Sequence, residues 1–123
     1  RGKQRPDWQK GKLNGVGGKI EPNEESRACI AREVCEETAL QTKAEDWVPV
    51  GDMRSADWRV DVWAHIYHGD SLLAKTTTDE KIEWHSVHTL PAHTINNLPW
   101  LIQLSIDKLK HDQFRTCTIE YHK

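Results

Sequence analysis

The sequence has few cysteines, no long apolar run and almost no net charge, and each shortage argues against a class of protein. Its three cysteines are odd in number and form no Cys-x-x-Cys motif, so reduced thiols in a cytoplasmic protein are expected rather than a disulfide framework. No segment approaches the roughly 20 apolar residues of a transmembrane helix, so no membrane partner is expected. The net charge of −2 gives no indication of a stable nucleic-acid partner.

Length and charge distribution indicate the number of domains and the kind of ligand. The 123 residues are enough for one domain, 1–123, with a real core. Residues 1–13 carry five basic side chains against one acidic side chain, whereas acidic side chains concentrate between residues 24 and 37. A basic segment beside an acidic one suits a phosphorylated small-molecule ligand.

The most informative stretch is 17–40, which reads GGKIEPNEESRACIAREVCEETAL. A glycine pair and a turn at Pro22 and Asn23 lead into a predicted helix over 24–38. Asn23 is the predicted N-cap, because an asparagine side chain can accept a hydrogen bond from the first free N–H groups of a helix. Glu24 and Glu25 would then lie in the first turn, where acidic side chains suit the helix dipole.

The predicted helix brings three carboxylates together. Glu33, Glu36 and Glu37 fall within an arc of about 100° when 3.6 residues make one turn. The opposite side is small and apolar and is expected to pack against a sheet; it comprises Ala28, Ala31, Cys35 and Thr38. One interpretation is a solvated acidic face. The other is a hard oxygen site for Mg²⁺ or Mn²⁺, completed by a backbone carbonyl.

These residues resemble the Nudix box, G-x5-E-x7-R-E-U-x-E-E-x-G-U, in which U is aliphatic. The matching positions are Gly18, Glu24, Arg32, Glu33, Val34, Glu36, Glu37 and Leu40. One position departs from the pattern, since Ala39 stands where the family has glycine. If residue 39 adopts a positive φ at the helix end, alanine costs about 1 kcal/mol relative to glycine.

The resemblance implies an α/β (α+β) fold of the Nudix type, in which an α/β/α sandwich encloses a mixed sheet. It also implies metal-dependent hydrolysis of a nucleoside triphosphate to the monophosphate and pyrophosphate, as in MutT-like members. By resemblance, Mg²⁺ or Mn²⁺ would be held by the Gly17 carbonyl, Glu33, Glu36, Glu37 and Glu80. The general base would be Glu33 or Glu80, and Arg32 would orient Glu33 through a charge-assisted hydrogen bond.

The resemblance also suggests contacts to the nucleotide substrate. The candidate substrate-binding residues are Arg5, Asn14, Gly18, Lys19, Asn96 and Asn97. Asn14 lies in a run similar to N-G-x-G-G-K of MutT-like members, which makes it a candidate base reader; the alternative is that it braces a turn. Asn97 precedes the second predicted helix, where related members read the base, but it also suits the N-cap of that helix.

The remaining elements follow from residue periodicity. Alternating apolar and polar residues predict strands over 47–53 and 58–67, joined as a hairpin. Further strands are predicted over 12–16, 81–87 and 115–121, with a helix over 98–110. Residues 1–11 are polar and lack the apolar strand with which family members usually begin, so the first strand of the sheet is expected to be missing from this sequence.

Two other functions stay open at this point. The same box serves hydrolases of nucleotide sugars, ADP-ribose and dinucleoside polyphosphates. A nucleotide-sensing domain could keep the fold without the chemistry, although the intact Arg-Glu-x-x-Glu-Glu core argues against it. The sequence indicates neither the preferred base nor the oligomeric state.

Overall fold

The computed structural model describes Gly15 and residues 23–78 and 81–122. The helices and strands in these ranges are α1 (Ser26–Thr38), β1 (Val48–Arg54), β2 (Arg59–Ala64), α2 (Leu98–Lys110) and β3 (Cys117–Glu120). Two single-turn 3₁₀ helices, Ala44–Asp46 and Ser71–Leu73, lie between them. The strand predicted over 12–16 falls outside the described residues.

The three strands form one mixed sheet in the order β2-β1-β3. β1 and β2 pair antiparallel as the predicted hairpin, with Asp52 opposite Asp61, whereas β1 and β3 pair in parallel, with Asp52 opposite Thr118. The close approach of β3 requires glycine at residue 51, because a Cβ at Gly51 would collide with the carbonyl of Cys117. The predicted α+β class with a mixed sheet is therefore confirmed, and these three strands form part of the expected sheet.

The two long helices cover opposite faces of this sheet. Asp61 accepts a hydrogen bond from Ser26, the first residue of α1, and Asp52 lies beside Asp61 on the same face. Met53, the next residue along β1, points to the other face, where it accepts a hydrogen bond from Asn97 at the start of α2. The described elements thus form the α/β/α layering that the sequence predicts.

Helix α1 begins later than predicted, and the predicted N-cap is wrong. Asn23 has a φ of 64°, so it makes a left-handed turn, which asparagine tolerates better than most residues. Glu25 occupies the N-cap position in an extended conformation and makes no capping hydrogen bond with its side chain. Glu24 and Glu25 therefore precede the helix. The predicted last residue, Thr38, is confirmed.

The buried face of α1 is also different from the predicted one. Cys29, Glu33, Val34, Glu37 and Thr38 are buried, whereas Cys35 is exposed and Ala28 and Ala31 are half-buried. The contact between Ser26 and β2 explains the rotation, because residues 26, 29, 33 and 37 follow one another along a single face of a helix. The side that carries two of the three box carboxylates is therefore turned inward.

No strand forms over 81–87, so that prediction is wrong. Side chains rather than a backbone ladder hold this segment: the indole N–H of Trp84 donates to the Ser71 carbonyl at 2.9 Å, and the ring stacks on Tyr67 with centroids 6.3 Å apart. The Ile82 N–H donates to the hydroxyl of Thr76. β2 likewise stops at Ala64, short of the predicted end at residue 67.

Helix α2 has the predicted bounds, with Pro99 in its first turn. Leu101 is its one buried residue, and the other predicted core positions are half-buried: Leu98, Ile102, Ile106 and Leu109. Leu101 lines a small cavity together with Met53, Val62 and Ile119 of the sheet. Among the helices of the described ranges, none has the length and apolar content needed to cross a membrane.

Candidate functional site

Arg32 lies at the centre of the box and contacts three glutamates. Its Nε and Nη2 donate to the two carboxylate oxygens of Glu24 at 2.7 and 3.1 Å. Its Nη1 lies 3.0 Å from Glu33 and donates to Glu36 at 2.8 Å. The hydrogen bond with Glu24, and the charges of the three glutamates, raise the pKa of Arg32 further above its already high usual value. One permanent cation therefore contacts three of the box carboxylates, those of Glu24, Glu33 and Glu36.

The three helical glutamates do not share one environment. Glu33 and Glu37 are only 3% and 6% exposed, whereas the side chain of Glu36 is 39% exposed. Two carboxylates buried one turn apart require compensating positive charge, and Arg32 supplies it to Glu33. Their oxygen atoms are donors of the kind that Mg²⁺ and Mn²⁺ prefer, so the residues present fit a hard divalent ion.

The described part of helix α1 does not by itself complete a metal site. Within 23–78 and 81–122, no three side chains of histidine, cysteine, aspartate or glutamate lie close enough together to hold a metal ion. The further ligands predicted for the site, the Gly17 carbonyl and Glu80, lie outside the described residues. So do four of the predicted substrate contacts: Arg5, Asn14, Gly18 and Lys19.

The carboxyl end of α1 carries contacts that the sequence did not reveal. Ala39 has a φ of 66°, so the box position without glycine does adopt the left-handed conformation. The Lys75 N–H donates to the Thr38 carbonyl at 2.9 Å, and the hydroxyl of Thr77 donates to the Glu36 carbonyl. No sequence signal marks residues 75–77, because a threonine run in a loop is ordinarily solvated.

The two predicted base readers before α2 are placed differently. Asn97 is buried, and its Nδ2 lies 3.5 Å from both the Met53 Sδ and the Tyr121 hydroxyl. It occupies the predicted N-cap position, but its side chain makes no capping hydrogen bond. Asn96 is exposed. The Tyr121 ring lies 5.4 Å from that of Trp58, and both residues are 37% exposed.

Tyr121 and Trp58 are therefore candidate ligand contacts that the sequence did not single out. Two tilted aromatic rings beside an amide provide a stacking surface and a hydrogen-bonding group. This cluster lies on the α2 face of the sheet, opposite the face that receives α1.

A comparison with protein families gives a match to the NUDIX domain over residues 1–104. The match covers most of the chain and includes the whole of the stretch 17–40. No solved structure matches the chain.

Proposed function

Since the chain belongs to the Nudix hydrolase family, we propose that it hydrolyses a nucleoside triphosphate to the monophosphate and pyrophosphate with the help of Mg²⁺. Members of this family hydrolyse the phosphoanhydride of a nucleoside diphosphate linked to a further group, and the chain is a hydrolase of that class. The assignment to triphosphates is supported by the MutT-like run around Asn14 and by the small size of the domain, which we take to be 1–123.

The observation that carries the proposal is the buried pair Glu33 and Glu37, with Arg32 beside it. Mg²⁺ or Mn²⁺ would be held by the Gly17 carbonyl, Glu33, Glu36, Glu37 and Glu80. A bound divalent ion neutralises phosphate oxygens and lowers the pKa of a water molecule. Arg32 keeps the Glu33 carboxylate oriented, because its Nη1 lies 3.0 Å from that carboxylate while its other nitrogens are fixed by Glu24.

Glu33 and Glu80 are the two candidates for the general base. The hydroxyl of Thr77 contacts the Glu36 carbonyl, and Glu80 follows Thr77 by three residues. By resemblance to the family, Glu80 is proposed as the base or as a further metal ligand.

We assign the nucleoside end of the substrate to the side-chain cluster on the α2 face of the sheet. Asn97, Tyr121 and Trp58 would bind the base by one amide hydrogen bond and by stacking, with Asn96 and Asn14 as further base contacts. Arg5, Gly18 and Lys19 would contact the phosphates. Asn97→Ala is expected to raise KM several-fold and to leave kcat nearly unchanged, since it removes binding that ground state and transition state share.

The test measures pyrophosphate and phosphate release with Mg²⁺ at mildly alkaline pH. The substrates are the common and oxidised deoxynucleoside triphosphates, ADP-ribose and a dinucleoside polyphosphate. Glu37→Gln is expected to reduce turnover at least about 10²-fold, because it removes a charged metal ligand. Glu45→Gln, which changes an exposed glutamate outside the box, is the matched control.

Each outcome bears on a different part of the proposal. Unchanged turnover in Glu37→Gln would contradict the metal site. Turnover of ADP-ribose or the dinucleoside compound alone would keep the site and overturn the triphosphate assignment. Nucleotide binding without any turnover would indicate a sensing domain.

The three free cysteines support a reducing cytoplasm as the place where the reaction occurs.

A further inference from the structure

The last turn of α1 depends on partners from outside the helix. The final carbonyl groups of an α-helix have no N–H within the helix to bind. At this end the Cys35 carbonyl accepts the Ala39 N–H at 3.0 Å, whereas the Glu36 carbonyl accepts the Thr77 hydroxyl and the Thr38 carbonyl accepts the Lys75 N–H. Two of these three partners therefore come from residues 75–77.

Local contacts hold only part of this turn, chiefly through the Thr38 hydroxyl, which donates to the Val34 carbonyl at 2.6 Å. Ala39 adopts a φ of 66°, a conformation that costs a residue with a Cβ about 1 kcal/mol and that glycine adopts freely. The Leu40 N–H does not reach the Glu36 carbonyl and donates instead to the Thr38 hydroxyl at 3.2 Å. The Glu36 carbonyl accepts a hydrogen bond from the side chain of Thr77.

We propose that Thr77 is a positioning residue for the metal site, because its hydroxyl holds the turn of α1 that carries Glu36 and Glu37. This inference rests on the proposed role of those glutamates as metal ligands. A shift of the Glu36 carbonyl moves the backbone from which both carboxylates project, and metal coordination tolerates displacements of only about 0.5 Å. In this role Thr77 acts through the backbone of α1, by its hydrogen bond to the Glu36 carbonyl.

The experiment measures Mn²⁺ binding in the absence of substrate, from the electron paramagnetic resonance signal of the unbound ion. Thr77→Val keeps the shape of the side chain and removes its hydroxyl. We expect it to weaken Mn²⁺ binding about fivefold, the effect of losing one hydrogen bond. Thr77→Ser restores the hydroxyl and is expected to bind Mn²⁺ like the wild type. Thr116→Val, at an exposed threonine that precedes β3, is the matched control.

To distinguish a role of Thr77 in stability alone from a role in positioning the metal ligands, the thermal unfolding midpoint of every variant is recorded. Mn²⁺ binding is then measured well below that midpoint. A lower midpoint for Thr77→Val with unchanged Mn²⁺ affinity would overturn the inference, as would an equal loss of affinity in Thr116→Val. If Thr77→Val does not fold, the same change is made together with Ala39→Gly, where the helix end is relieved of strain. A two- to fivefold loss relative to Ala39→Gly alone is expected there, and no loss would overturn the inference.

Mn²⁺ binding by the wild type shows whether a negative result contradicts this inference alone or also the proposed function on which it rests. Wild-type protein that binds no Mn²⁺ would overturn the proposed metal site and the role of Thr77 together. Wild-type binding that Thr77→Val leaves intact would overturn the role of Thr77 alone.

Discussion

At its first residue, helix α1 is tied to strand β2 by side chains, whereas at its last turn it is tied to residues 75–77 through its own carbonyl groups. The indole N–H of Trp63 donates to the Ser26 hydroxyl at 3.1 Å, and that hydroxyl donates to Asp61 at 2.9 Å. Arg27 adds a contact from its guanidinium to the Trp63 ring at 5.2 Å. The first end is thus fixed to the rigid sheet and the second to a loop.

The difference shows how a helix without strong capping residues is positioned. No side chain caps the amino end, and an alanine stands where glycine would favour the carboxyl end. Tertiary contacts take over at both ends, and between them lie the glutamates that the proposed reaction needs. The amino end contains charged groups, whereas the hydrogen bonds at the carboxyl end join neutral groups. The two ends should therefore respond differently to substitution and to pH.

Breaking the amino-terminal contact should have the largest effect on stability. Ser26→Ala removes a hydroxyl that serves Trp63 and Asp61 at once, so it leaves two partly buried polar groups without that partner. We expect the free energy of unfolding to fall by about 2 kcal/mol, measured by urea denaturation. Ser71→Ala, at an exposed serine, should change it by less than about 0.5 kcal/mol. Equal effects of the two substitutions would contradict the importance of the contact with β2.

Removing the backbone strain at the carboxyl end of α1 should raise the stability, by less than Ser26→Ala lowers it. Ala39→Gly places glycine at a φ of 66° and is expected to raise the free energy of unfolding by about 1 kcal/mol. Ala74→Gly is the matched control, because Ala74 has a φ of −69°, where glycine only adds freedom to the unfolded chain and should lower stability by about 0.4–1 kcal/mol. Destabilisation by Ala39→Gly would show that residue 39 is not strained.

The sequence predicted the carboxyl end of α1 better than its amino end, for a physical reason. The box fixes where the helix ends, and the positive φ of Ala39 follows from the position at which related sequences carry glycine. Asn23 suits either an N-cap or a left-handed turn, and only the rest of the fold decides between them. Here the hydrogen bonds between Arg32 and Glu24 hold the preceding segment, so the helix begins after Glu25.

Contacts between residues distant in sequence explain the features outside α1 that could not be predicted from the sequence. The hairpin of β1 and β2 follows from local alternation and a short turn, and it was predicted. The segment 81–87 also alternates, but it is held through Trp84 to the Ser71 carbonyl rather than through a ladder, which periodicity cannot show. Thr77 was missed for the same reason, because its partner lies 41 residues away. The position of Asn97 was predicted, whereas the direction of its side chain required the structure.

Lowering the pH should affect the stability contributed at the two ends of α1 differently, because Asp52 titrates near the amino end. The Thr118 hydroxyl, which donates to Asp52 at 2.7 Å, and then the Arg54 guanidinium hold the pKa of that carboxyl below its usual value. Arg59 joins it to the amino-terminal contact, since its Nε lies 3.5 Å from Asp52 and 3.0 Å from Asp61. A carboxyl whose pKa is lowered by folding stabilises the protein above its unfolded pKa of about 3.9, and this contribution is lost as the pH falls through the lower folded value.

Thr118→Val should therefore reduce stability most at neutral pH, and its difference from the wild type should shrink as the pH falls below about 5. Urea denaturation at several pH values measures this difference, with Thr116→Val as the control at an exposed site. Thr77→Val should behave otherwise, because it removes a bond between a hydroxyl and a carbonyl, neither of which titrates in this range. Its cost in stability should stay constant over the same pH interval. A pH-dependent cost at Thr77 equal to that at Thr118 would show that the two ends of α1 are coupled.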